Sequence, residues 1–353
     1  MVIKRRKTRV VKVGNLKIGG NNPVSVQSMT KTKTHDIKKT VLEIRRLEKA
    51  GCELVRVAVP DMAAAGCIRE IKKRITVPIV ADIHFNYKLA IAAISSGADK
   101  IRLNPGNIYE RKQLIKVLNI AKEKNIAIRI GTNAGSVKRK SQSIVDSLVG
   151  GVLEQVRFFE RHKFYNIVIS VKASDVITTI TAYRKIAKSC DYPLHLGVTA
   201  SGTLFSGGIK SAIGIGALLV EGIGDTIRVS LNTRPEEEIV TGREILSSLR
   251  VRCFGPEIIA CPTCGRCEVD LIKVVQKFEQ KLKALPWKTK LAGIKVAIMG
   301  CVVNGPQEAR DADFGVACGR NCGIIFKKGK ILKKVKENKL VYSLFQEIKD
   351  AFV

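Results

Sequence analysis

Apolar, β-branched runs recur along this chain at a near-constant interval, and the segments between them are apolar on one stripe only. The runs are Val24 to Ser28, Leu54 to Val59, Pro78 to Ile83, Lys100 to Asn104, Ala127 to Thr132, Asn166 to Ala173, Pro193 to Ala200 and Thr226 to Leu231. Each is strand-length, and near-continuous apolar character suits a strand covered on both faces. The intervening stretches have helical period: Ile37, Val41, Ile44 and Leu47 share one face, as do Ile68 and Ile71, with Lys, Arg and Glu opposite. Eight strand-helix units within about 250 residues predict an α/β fold, a (β/α)8 TIM barrel. A doubly wound open sheet is the alternative. It fits less well, because no Gly-x-Gly-x-x-Gly turn follows the first strand and the eight units run without interruption. After Arg250 the rhythm breaks. Cysteines cluster, a helix is expected from Val269 to Leu285 and a strand from Ile294 to Met299. The chain is therefore expected to divide near Gly255 into a barrel, 1–254, and a smaller α+β domain, 255–353.

Composition narrows the setting. Of 353 residues 45% are hydrophobic, enough to bury a sizeable core. Ten cysteines are too sparse for a disulfide scaffold, and no charged-then-apolar leader opens the sequence. A reducing, cytoplasmic setting is expected. No apolar stretch reaches bilayer-spanning length, so no membrane segment is expected. The net charge of +31 raises nucleic acid as a partner, but the basic residues are dispersed, with short runs only at Lys4-Arg5-Arg6-Lys7 and Lys138-Arg139-Lys140. Aromatic residues are 5%, and no basic platform interleaved with aromatics is present. Charge of this kind describes solubility and nonspecific affinity. No specific nucleic-acid partner is expected; a basic nucleic-acid-binding module stays as a rival reading, with salt-dependent retention as its signature.

In a barrel, chemistry belongs at the C-terminal ends of the strands. There, strand after strand carries a cation: Arg56, Arg102, Arg129, Lys172 and Arg228. One such residue is usually an ion-pair partner. Five converging on one barrel end would repel one another unless an anion resolves the repulsion, and Arg forks match phosphate oxygens, so a diphosphate is the expected ligand. Asp82 and His84 end the third strand and alternate to the same side, where either positions substrate or relays protons; a buried His held by its neighbouring carboxylate is the plainer alternative. His195, between Leu194 and Leu196, reads as a satisfied core histidine.

Cys261-Pro-Thr-Cys264 and, much later, Cys301 in a Gly- and Pro-rich loop after an apolar run offer three thiols, with Glu308 close by in sequence. Thiolates bind iron in clusters, and a Cys-x-x-Cys turn presents two of them to neighbouring corners of a cube. A zinc site drawing on Cys267, Cys318 and Cys322, a redox dithiol and unrelated structural thiols are the alternatives. Spacing alone leaves these open.

Taken in order, a series of motifs resembles the bacterial 4-hydroxy-3-methylbut-2-enyl diphosphate synthase family. It comprises Val26-Gln-Ser-Met-Thr30, Val55-Arg-Val57, Ala81-Asp-Ile-His-Phe85, Arg102 to Asn107, Arg129 to Ser136, Ser170 to Asp175, Glu221 to Thr226, Ala260 to Arg266 and Gly300 to Pro306. The resemblance implies a [4Fe-4S] cluster held by Cys261, Cys264, Cys301 and Glu308, so that the smaller domain is an iron-sulfur domain. It implies a cyclic diphosphate bound by Arg56, Arg102, Arg129, Asn133 and Lys172. The implied reaction is reductive opening of 2-C-methyl-D-erythritol 2,4-cyclodiphosphate, with two electrons supplied by flavodoxin or ferredoxin and one oxygen lost as water; Glu308, Asp82 and His84 are the candidate catalytic groups. A homodimer is also implied, the cluster domain of one subunit covering the barrel mouth of the other. Three positions depart from the family pattern: Ala200 stands where a glutamate is expected, Gln307 where a glycine is expected, and Cys253 where a small polar residue is expected. Ala200 makes a catalytically impaired cluster protein the second rival.

Overall fold

Five of the barrel helices start where a short polar side chain can accept an otherwise unpaired N–H. Asp36, Asp61, Asn86, Ser143 and Asp175 take the backbone N–H of Lys39, Ala64, Lys88, Asp146 and Thr178. Each such cap contributes about 1 kcal/mol. The computed structural model describes residues 3–84, 86–104, 110–135, 143–283, 285, 288–301 and 309–352. Glu308, Gln307 and the end of the Gly300 motif lie outside them, as do Phe85, Gly106, Asn107 and Ser136. The chain forms two compact units, residues 1–252 and 253–353.

In the first unit eight parallel strands alternate with helices. The strands are β3 (Ser25–Met29), β4 (Leu54–Val59), β5 (Ile79–Ile83), β6 (Lys100–Leu103), β7 (Ala127–Asn133), β8 (Ile167–Lys172), β9 (His195–Leu196) and β10 (Thr226–Ile227). They pair in the order β8-β7-β6-β5-β4-β3-β10-β9, and a parallel bridge between Ile169 and Leu194 brings the two ends together. This is the TIM barrel the periodicity predicts. The last two strands are shorter than their apolar runs. Val26, Ile227 and Val229 turn outward: a Cβ on Gly242 of α8 (Pro235–Ser248) would lie 3.1 to 3.7 Å from all three, so the glycine lets this helix settle on the sheet.

A hairpin that the periodicity did not reveal seals the floor. β1 (Val11–Val13) and β2 (Leu16–Ile18) pair antiparallel, and Val11, Val13 and Ile18 pack against Leu54, Val80, Ala127 and Val168 from the strand starts. Its strands are three residues each, too short to read as apolar runs.

The second unit has a five-stranded mixed sheet in sequence order: β11 (Glu257–Ala260), β12 (Lys295–Met299), β13 (Phe314–Gly319), β14 (Cys322–Lys327) and β15 (Lys330–Lys336). β11, β12 and β13 are parallel; β14 and β15 follow antiparallel. Helices α9 (Leu271–Lys283) and α10 (Leu340–Phe352) contribute Leu271, Phe278, Leu344 and Ile348 to a core with Val296, Ile298, Val316 and Ile325. No helix among the described residues is long and apolar enough to cross a membrane.

Candidate active site

Strand alternation decides what enters the barrel. Leu54, Val80 and Ala127 meet the floor hairpin, so Arg56, Asp82 and Arg129, two residues further along, lie inward one layer higher. Register puts Arg102 between Asp82 and Arg129, and Lys172 beside the half-buried Asn133. Asp82 binds this layer together: its carboxylate is 3.4 Å from Arg102 Nη1, 3.2 Å from His84 Nε2 and 3.9 Å from Arg56 Nε. Burial would raise its pKa, but Arg56, the His84 hydrogen bond and Arg102 together hold it well below the carboxylate range. His84, by contrast, is half-exposed.

The other cations are poorly compensated. Arg228 lies 3.8 Å from Glu238, a buried carboxylate that also accepts from Ser28 Oγ and the Leu231 N–H. Among the described residues no carboxylate pairs with Arg129 or Lys172. Arg129 is 3% exposed with Nε and Nη1 unpartnered. Among the described residues Lys172 Nζ reaches only the Leu196 carbonyl, at 3.5 Å, in space left open because Gly197 has no side chain; a Cβ there would lie 2.5 Å from the ammonium. Burial, then neighbouring positive charge, lowers the pKa of Arg129 and Lys172, and brings Arg228 to about 10. An array of buried cations this short of partners is complementary to an anion with several oxygens.

Two inward residues were missed as members of this site. Lys100 pairs in register with Val80 and Ala127, so it sits in the floor layer, fully buried, with Nζ unpartnered. Its signal was its spacing: it is two residues before Arg102 on one strand. His195 is buried, as expected, but not satisfied, since neither ring nitrogen has a hydrogen-bond partner; Lys172, Arg129 and Lys100 add to burial in keeping it neutral.

Burial first, then Arg129 and Arg56, push the Lys100 ammonium well below the usual range. Unfolded lysine titrates near ~10.4. Between the folded and unfolded values the unfolded chain binds more protons, so stability rises with pH across that window. Urea unfolding of the anion-free protein, followed from about pH 7 to about pH 10, is expected to show that rise, and Lys100→Met to flatten it. Identical slopes would mean that Lys100 keeps its proton.

In the second unit the C-terminal ends of two adjacent parallel strands deliver the cysteines. Cys261 follows β11, its N–H donating to the Ile298 carbonyl, and Cys301 follows β12 two residues beyond Met299. Thr263 takes a left-handed φ of 67° in the Cys261-Pro-Thr-Cys264 turn, which leaves Cys264 exposed and Cys261 half-buried. Three thiols at one edge fit the donor chemistry of an iron-sulfur cluster. Among the described residues no three His, Cys, Asp or Glu side chains gather about a single ion. Two of the spare thiols are engaged with the core. Cys318 is sealed in the core and its thiol pushed up to about 12 by burial; Cys267 donates to the Val269 carbonyl and packs on the same core. Cys253 is exposed.

Residues 8–243 match the GcpE TIM-barrel domain and residues 257–350 the GcpE protein C-terminal domain. The 4-hydroxy-3-methylbut-2-en-1-yl diphosphate synthase (flavodoxin) of Fusobacterium nucleatum is 53% identical over 350 residues, covering 98% of each chain. Its counterpart in Caldanaerobacter subterraneus is 53% identical over 353 residues, 99% of this chain and 98% of that one. Among solved structures, dihydropteroate synthase from Stenotrophomonas maltophilia is similar with a TM-score of 0.53 at 14% identity, over 69% of this chain and 97% of that one. N-acetylneuraminic acid synthetase from Leptospira borgpetersenii gives 0.51 at 12%, over 80% and 99%. At such identity these two structures speak for the fold alone.

Proposed function

This chain belongs to the GcpE family, and from that premise we propose that it is a 4-hydroxy-3-methylbut-2-enyl diphosphate synthase. It opens the ring of 2-C-methyl-D-erythritol 2,4-cyclodiphosphate to give (E)-4-hydroxy-3-methylbut-2-enyl diphosphate, taking up two electrons and two protons and releasing one water. The observation that carries this reading is the surplus of cations over carboxylates inside the barrel: the buried Lys100, Arg102, Arg129 and Lys172 and the partly buried Arg56 and Arg228 face Asp82 and Glu238. Arg102 and Arg129 offer forks to the diphosphate, Lys172 a mobile point charge, and Asn133 an amide beside it. Asp82, held ionised, is not a proton donor. It orients His84, whose half-exposed ring supplies a proton to the departing oxygen.

A [4Fe-4S] cluster, held by Cys261, Cys264, Cys301 and Glu308, supplies the one-electron reducing chemistry when bound. The names of the relatives specify flavodoxin, and flavodoxin or ferredoxin is the proposed donor. We place the protein in the cytoplasm, as a homodimer.

Turnover of the cyclodiphosphate under a chemical reductant tests the reading, and the same assay resolves the rival raised by Ala200. Ala200 is exposed, in a left-handed turn with φ of 51° after β9. A glutamate there stays solvated, so Ala200→Glu is expected to change stability by less than about 0.5 kcal/mol. Turnover is expected to stay level or fall, because His84 already serves as acid. A gain on the order of 10²- to 10⁴-fold in the variant would assign proton transfer to the missing carboxylate instead.

A further inference from the structure

Strand β15 is one of the two edge strands of the second unit's sheet, and residues 327–339 carry seven lysines against one acid. Lys327, Lys328, Lys330, Lys333, Lys334, Lys336 and Lys339 are all exposed; the acid is Glu337. Little of this charge is compensated: Lys333 reaches Glu347 at 2.6 Å and Lys327 lies over the Phe314 ring. The basic N-terminal run differs, since Arg5, Arg6 and Arg9 are engaged by Asp225, by backbone carbonyls and by Asp191. Lysines on an edge strand discourage pairing with other chains. That role gives no reason for the two aliphatic side chains set among them, Ile331 at 67% exposed and Leu332 at 44%. A basic field around a small apolar centre is the composition of a docking patch.

Register relates this edge to the cysteines. β15 is antiparallel to β14, which is antiparallel to β13, so β15 runs with β11, β12 and β13 and ends where Cys261 and Cys301 emerge. Row by row, Met299 pairs with Ala317, Ala317 with Ile324 and Ile324 with Lys334; one step further, Gly319 pairs with Cys322 and Cys322 with Lys336. β12 and β15 are three strand spacings apart, about 14 Å at ~4.8 Å each. Electrons tunnel over such a span.

We propose that β15 and its flanking turns are the docking surface for an acidic one-electron carrier protein, Lys330, Lys334 and Lys336 steering it and Ile331 and Leu332 seating it. The inference rests on the redox reading above and adds the place of delivery. Each encounter oxidises one reduced carrier by one electron, and two encounters supply the pair that the ring opening consumes.

The test compares two reductants on the holoenzyme and on a variant combining Lys330→Glu, Lys334→Glu and Lys336→Glu. With reduced flavodoxin at low salt, the variant is expected to lose tenfold or more in second-order rate, on the order of the gain that steering supplies. The parent's rate should fall towards the variant's as salt is raised. With dithionite, parent and variant should turn over alike. Equal flavodoxin-driven rates would overturn the docking surface while leaving the enzyme reading intact, and so would a loss that is the same with both reductants. A parent inactive with either reductant would remove the redox reading and this inference together. Loss of duplex DNA retention with an unchanged flavodoxin rate would overturn the inference in favour of nonspecific nucleic-acid binding.

Discussion

Cys261→Ala, Cys264→Ala and Cys301→Ala are each expected to yield protein stripped of the iron and sulfide that the parent retains on anaerobic purification. A cluster corner left without its thiolate has only a hard oxygen or water to replace it, a poor match for sulfur-bound iron. The spare thiols are not equal as substitutes. Cys318 is buried with its thiol held protonated, whereas the half-buried Cys267 stands against Gly300, the residue before Cys301, where an added Cβ would come within 2.8 Å of its sulfur. Cys253→Ala, at an exposed position, is the matched control and should keep full iron. Iron and sulfide analysis with the visible absorption spectrum decides the matter. A full complement surviving any one of the three changes would transfer the ligand role to Cys267, Cys318 or Cys322.

Arg129→Ala is expected to weaken binding of the cyclic diphosphate by on the order of 10²-fold or more, two charge-assisted bonds at roughly 1.5 kcal/mol or above each. The same change should make the ligand-free protein more resistant to urea, because it removes a fully buried cation with two nitrogens unpartnered. Opposite signs on affinity and stability separate a binding group from a packing group. Arg129→Lys should keep the charge and still lose affinity, since the fork is gone. Calorimetry with the substrate under non-turnover conditions, alongside unfolding curves, measures both. If alanine at Arg56, Arg102, Arg129 and Lys172 in turn left affinity at the parent value, the clamp would be wrong.

Much of the barrel was legible because its strands are covered on both faces: Leu54 to Val59 and Pro78 to Ile83 are apolar runs that physics leaves few other uses for. The cations inside those runs were legible for the opposite reason, as charges where none belongs. Lys100 was overlooked because it opens its run and looks like a flank, and only its register with Val80 and Ala127 places it inside. His195 was misjudged because its leucine neighbours point the other way; register sets it beside Thr226, which pairs in turn with Ser25, and the polar atoms of all three are buried without partners. In the second unit β13, β14 and β15 went unread, the first two broken by Gly and Cys and the last made mostly of Lys. Glu308 and Gln307, fixed in sequence beside Cys301, lie outside the described residues, so their part in the site stays a reading of sequence.

The floor hairpin has a kinetic consequence. With Val11, Val13 and Ile18 packed against the strand starts, traffic through the barrel has one door, at the strand ends where Arg102 and Lys172 lie. Substrate entering and linear diphosphate leaving share that opening and the same arginines, so each turnover must empty the vessel before it can refill. Product inhibition competitive with the cyclodiphosphate is the expected result, since the linear product carries one more ionisable phosphate oxygen than the cyclic substrate and meets the same cations.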